Sequence, residues 1–148
     1  MIRVSQAFAA FRQAVIEELK SEIQNQLIPT FNAEIADIEA KYKETTEAAA
    51  NAHTPNASEA LLRVAMRNKE ARLLGLQLRR QQFLNEIQTR LRMEVGAKLS
   101  EYGGETFEEE ETNSNNKTRV VSKARFPDGS IAKIPGHVFV DWNQFYTL

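Results

Sequence analysis

Cysteine is absent from the 148 residues, and the chain holds only two histidines, one tryptophan, six glycines and four prolines. The lack of cysteine excludes disulfide staples, thiolate metal ligands and a cysteine nucleophile. His53 and His137 are far apart, and neither belongs to a His/Asp/Glu cluster at ligand spacing. There is no Walker A loop, dinucleotide-binding glycine pattern, zinc-protease helix motif or nucleophile elbow. The sequence therefore predicts no catalytic, cofactor-binding or metal site. No 18 apolar residues run together, and Arg3, Arg12, Glu17 and Glu18 interrupt the mildly apolar start, so no secretory signal is expected there. The expected location is the cytoplasm, or a virion assembled there. Asn56 and Asn116 open glycosylation triplets that are chance matches without secretion. With 19 basic against 20 acidic side chains and 42% apolar residues, assembly by charge attraction alone is not expected.

Helical periodicity fills most of the chain. Phe8, Phe11, Val15, Leu19, Ile23, Leu27, Phe31, Ile35, Ile38 and Tyr42 recur in steps of three and four, a spacing that a strand cannot produce. The stripe resumes as Leu62, Met66, Leu73, Leu76, Phe83, Ile87, Leu91, Val95, Leu99 and Tyr102. Thr54 as a cap and Pro55 in a first turn mark the break between the two runs, and Gly103-Gly104 marks the end of the second. Two helices over 5–52 and 55–102 predict a long antiparallel hairpin in which residue i faces roughly residue 107 minus i. Charge favours that pairing, because residues 1–54 carry 5 basic and 8 acidic side chains and residues 55–102 carry 9 and 5. Acid-first pairs four apart, such as Asp37/Lys41, Glu39/Lys43 and Glu94/Lys98, add about 0.2–0.5 kcal/mol each to the helices.

Pro29 interrupts the first stripe. It lacks an N–H and its ring meets the carbonyl of Asn25, so a kink or a break is expected there. A bent hairpin and a compact bundle of helices 5–28 and 30–52 against the second helix both satisfy the pattern. Ile16, Ile28, Leu61, Leu74, Leu78 and Leu84 widen the stripes beyond what one partner covers, which favours self-association.

The fold class expected is thus mainly α: residues 1–104 as the helical hairpin or bundle, 105–118 as a flexible acidic linker, and 119–148 as a β-hairpin arm with an aromatic tail. The linker prediction rests on the aperiodic run GGETFEEEETNSNNKT. Strands are expected at 119–126 and 131–134 around the turn Phe126-Pro127-Asp128-Gly129-Ser130, with Pro135-Gly136 ending the hairpin and a third strand at 137–142.

Three chemical alternatives are weak. His137 and Asp141 as an acid/base couple would need neighbouring strand positions that do not share a face. The run Glu108 to Glu111 lacks the turn spacing of a cation loop. Arg63, Arg67, Lys69, Arg72, Arg79, Arg80, Arg90 and Arg92 spread around their helix instead of forming a phosphate-binding row.

The expected function is a non-enzymatic structural or assembly protein that homo-oligomerises. Its helical contacts would be Phe8, Phe11, Leu19, Ile23, Phe31, Leu73, Leu76, Phe83 and Leu91. The aromatic C-terminal segment, with Phe126, Ile131, Ile134, Phe139, Trp142, Phe145 and Tyr146, either folds back as part of a small core or clasps a neighbour. In organisation the whole chain resembles small connector, completion and cement subunits of tailed-phage virions, a likeness of architecture carried by no residue motif. That resemblance implies copies of itself and other subunits of a larger assembly as partners, with no membrane and no cofactor. A cytoplasmic helical module that binds nucleic acid, or acts as a chaperone or adaptor, is the alternative.

Overall fold

The computed structural model describes residues 2–134 and 136–146. Pro135, expected to help end the β-hairpin, and Thr147 and Leu148 of the expected tail lie outside the described residues. The protein is mainly helical, with helix over residues 4–50 and a small antiparallel sheet near the C-terminus. Helix α1 (Val4–Glu22) passes through a π-helical segment, Ile23–Leu27, into α2 (Ile28–Ala50). The π segment answers the clash at Pro29. Widening the turn to i→i+5, as in the Ile28 N–H to Ile23 carbonyl bond, absorbs the proline just downstream without ending the helix.

Helix α3 (Pro55–Glu101) follows a short turn. Thr54 Oγ1 accepts the Ala57 N–H at 3.1 Å, and Pro55 occupies the first turn where no N–H is needed. The far end closes on Gly103, at φ 68°, with Gly103 N–H bonded to Ser100 and Gly104 N–H to Leu99. This paired arrangement satisfies the last carbonyls of the helix. At Gly104 a β-carbon would stand 2.7 Å from Leu99 Cδ1 and 3.0 Å from Phe126 Cε1, so the helix end and the sheet pack against bare backbone.

Two corrections concern the C-terminal third. Residues 105–112, expected to be linker, form strand β1 (Glu105–Thr112), which pairs antiparallel with β2 (Thr118–Arg125). The glutamate run is held because its neighbours are basic: Glu105 lies opposite Arg125 and Glu111 opposite Arg119, while Lys123 reaches both Glu109 and Glu111, at 3.2 and 3.0 Å. Opposite charges across a ladder stabilise a strand that like charges along it would disfavour. The connecting loop turns on Asn113, whose side-chain oxygen accepts the N–H groups of Asn115 and Lys117, and on Asn116 at φ 59°. The second correction is that 137–142 is not a strand. The third strand, β3, is Ile131–Lys133, and the sheet order is β1-β2-β3. The β2–β3 turn has Gly129 at φ 84°, as its position after Pro127-Asp128 requires.

The chain divides into two compact units, one of residues 1–21 with 86–139 and one of residues 22–85 with 140–148. In the first, Phe8, Val15, Leu19, Ile87, Leu91 and Val95 are buried with Ala124, Phe126 and Val138. Phe8 and Phe126 pack with tilted rings, their centroids 5.3 Å apart. The β2–β3 turn also caps α1: Asp128 Oδ2 accepts the Val4 N–H at 2.8 Å and Ser130 Oγ the Ser5 N–H at 3.0 Å. In the second unit, Phe31, Ile35, Ile38, Ala65, Leu76 and Leu84 are buried.

Hydrogen bonds to the charged form, from the Ser130 hydroxyl first and then from the backbone N–H groups of Val4 and Ser130, hold the Asp128 carboxyl below its ordinary value of 3.8. A depressed carboxylate stabilises the fold above its unfolded value, and that contribution is lost as pH falls through the folded value. Asp128→Asn is accordingly expected to lower unfolding stability at pH 6, with a gap from the wild type that narrows as the pH drops below 3.8. Urea unfolding at several pH values checks this, and a gap independent of pH would contradict the capping role.

Candidate protein interface

In the unit of residues 22–85 and 140–148, the acidic face of α2 meets the basic face of α3. Arg79 reaches Glu34 with both guanidinium nitrogens, the shorter contact being 2.6 Å, and Arg72 reaches Asp37 at 2.9 Å. Asp37 also pairs with Lys41 at 3.5 Å, and these cations, Arg72 first, hold its carboxyl below the ordinary range. The Lys69 ammonium lies 4.4 Å from the Tyr42 ring centroid. These positions are exposed enough for solvent to weaken each pair, so they fix pairing more than they add stability.

The C-terminal residues of this unit dock on both helices. Arg80 lies over three rings, at 4.8 Å from Phe31, 5.1 Å from Trp142 and 5.4 Å from Phe145. Phe145 meets Phe31 edge-on at 5.2 Å. Asn32 donates to the Gln144 carbonyl and accepts the Tyr146 N–H, both at 2.9 Å. A carboxamide presents one donor and one acceptor side by side, as a peptide group does, so it can pair with extended backbone that has no strand neighbour. Asp141 caps the single 3-10 turn Trp142–Gln144 by accepting from Asn143 N–H.

The same device recurs in the other unit, where Gln88 of α3 donates to the Val138 carbonyl at 2.9 Å and accepts the Val138 N–H at 2.8 Å. Val138 is buried, whereas Phe139 beside it is 74% exposed against His137. Lys98 bonds Glu101 at 3.0 Å instead of Glu94 and lies over the Phe11 and Tyr102 rings. On the sheet, bonds from Lys123 and then Lys133 lower the Glu111 carboxyl, and Glu111 and Glu109 in turn raise Lys123.

These placements sort the residues expected to meet a neighbour. Phe8, Leu19, Ile23, Phe31, Leu76 and Leu91 are buried in the chain's own units, and Phe11, Leu73 and Phe83 are half-buried. The buried six are covered by the chain itself. In the C-terminal segment Phe126 and Phe145 are buried, Ile134 is half-buried, and Ile131, Phe139, Trp142 and Tyr146 are exposed. The segment thus folds back through one set of side chains and presents another. Of the basic set, Arg72, Arg79, Arg80 and Lys69 are engaged by acids or rings of their own unit, which leaves no continuous cationic row. Among the described residues, no three His, Cys, Asp or Glu side chains converge as a metal site, and no helix is long and apolar enough to cross a membrane.

Exposed apolar side chains include Ile2, Leu62, Met66, Met93 and Val120, and a further group lies on the outer side of α3. Val64, Leu74 and Leu78 are 51%, 58% and 56% exposed, and at 100° per residue they project away from buried Ala65, Leu76 and Leu84. The widened stripe in the sequence was the signal for this face, but a single stripe does not say which of its residues the first partner takes.

Asn32→Ala removes both bonds to the tail. The expected result is faster hydrogen exchange at the Tyr146 N–H and a shift in the emission of Trp142, the single tryptophan, with helix content retained. Unchanged exchange and emission would show that the rings alone hold the tail.

No family profile, curated protein or solved structure matches the chain.

Proposed function

We propose that this chain is a non-enzymatic structural protein whose copies associate through the outer side of α3. In this reading α1–α2 and α3 form an antiparallel hairpin whose inner faces are used up within the chain. The exposed side chains of the C-terminal segment, Ile131, Phe139, Trp142 and Tyr146, supply a second contact to neighbouring subunits. The observation that carries the proposal is that Val64, Leu74 and Leu78 of α3 are more than half exposed on the side opposite its buried residues Ala65, Leu76 and Leu84. Exposed apolar residues that adjoin one another on one helix face, rimmed by polar ones, mark an interaction site. The setting that fits is a larger protein assembly, such as the rings and shells built by the tailed-phage subunits that the chain resembles in organisation.

Absolute mass by light scattering across a concentration series tests this. The expected result is a defined multiple of the 16.8 kDa chain. A monomer that persists at the highest concentration would refute self-association and redirect the search to a different partner.

A further inference from the structure

The outer stripe of α3 has more order than exposure alone requires. Ala60, Val64, Arg67, Ala71, Leu74 and Leu78 follow one another in steps of four and three, the spacing of a coiled-coil seam. All six are exposed, and they lie on the side of the helix away from the core. Arg67 is the one charged residue in the row, and Glu70 stands at its flank. Among the described residues neither has an ion-pair partner, although acids and bases elsewhere on α2 and α3 do.

The occupant of this seam follows from its charges and sizes. A second copy running parallel and in register would set Arg67 against the partner's Arg67 in the middle of the contact, a like-charge layer. A copy running antiparallel about a two-fold axis near residue 69 does the opposite. Arg67 then lies beside the partner's Glu70, and the symmetry makes that pair twice. Leu78 meets the partner's Ala60, Leu74 meets the partner's Val64, and Ala71 makes room for the stem of the partner's Arg67. Large side chains oppose small ones along the seam, as close helix packing needs. A patch that complements itself in this way is what a two-fold interface requires.

We infer that α3 carries a two-fold, antiparallel self-association seam over residues 60–78, fixed in register by two Arg67–Glu70 pairs between copies of the chain. This rests on the self-association reading above and adds its geometry. The seam closes on a pair, so any larger assembly must add the exposed C-terminal side chains as a second interface.

The test compares the full chain with Leu74→Glu, Glu70→Arg and the charge-exchanged Arg67→Glu/Glu70→Arg, each checked for helix content by circular dichroism. These positions are exposed, so the fold is expected to survive. Light scattering should give an even multiple of the chain mass for the wild type, half that mass for Leu74→Glu and Glu70→Arg at the same concentration, and recovery of the wild-type mass in the exchanged variant. A wild-type oligomer that none of the variants disturbs would overturn the seam and leave self-association standing. Loss in Glu70→Arg without recovery in the exchanged variant would overturn the ion-pair register. A wild-type monomer would overturn the seam together with the reading on which it rests.

Discussion

Burial of one side of α3 is the constraint on which the remaining structure depends. Its 47 residues are the longest uninterrupted element, and they serve two cores: Ala65, Leu76 and Leu84 in one unit, Ile87, Leu91 and Val95 in the other. Fully covering a leucine or isoleucine is worth about 1.5–3 kcal/mol, whereas the ion pairs beside these residues are exposed and add little. The apolar side chains therefore provide the stability. Charge decides which faces meet, through Arg72 with Asp37 and Arg79 with Glu34.

Everything after α3 is too short or too irregular to be stable alone, and each piece is held by a specific polar contact. A three-stranded sheet is marginal without a packed face. Here Phe126 packs on Phe8 and Tyr102, Asp128 and Ser130 cap α1, and Arg12 donates to the Lys133 carbonyl. Past the sheet the backbone has no ladder partner, and Gln88 and Asn32 supply what a neighbouring strand would have supplied. The outer edge of β1 carries Glu108 and Glu110, and like charges there oppose pairing with the same edge of another copy.

The helical content and the punctuation were legible because they depend on local chemistry. Thr54-Pro55, Gly103 and Gly129 stand where the sequence places them, since caps and positive φ depend on a few adjacent residues. Three features were not legible. The π segment depends on how the chain relieves Pro29, for which several solutions exist. Strand β1 was hidden because four consecutive glutamates read as solvated loop until Arg119 is known to lie opposite Glu111 and Lys123 to reach Glu109 and Glu111. The two carboxamide clamps join residues 50 and 112 or more positions apart, and nothing local distinguishes Gln88 or Asn32 from other surface amides. On α3, periodicity identified the apolar residues without sorting them: the regular stripe through Leu76 and Leu91 is covered by the chain itself, and Leu74 and Leu78, which widen it, are exposed.

The chain lacks cysteine, so a single Gln77→Cys substitution gives a unique, exposed site for a spin label at the flank of the proposed seam, where it leaves the packed residues in place. With the proposed seam, the two residue-77 Cα atoms lie about 25–28 Å apart, from an offset of about 16 residues along the axis and an ordinary helix–helix spacing. Pulsed dipolar spectroscopy should then report one narrow inter-label distance in that range that disappears on dilution with unlabelled chain. A long or broad distribution, or no inter-label coupling in a sample shown to be oligomeric, would place the contact elsewhere and contradict α3 as the seat of assembly.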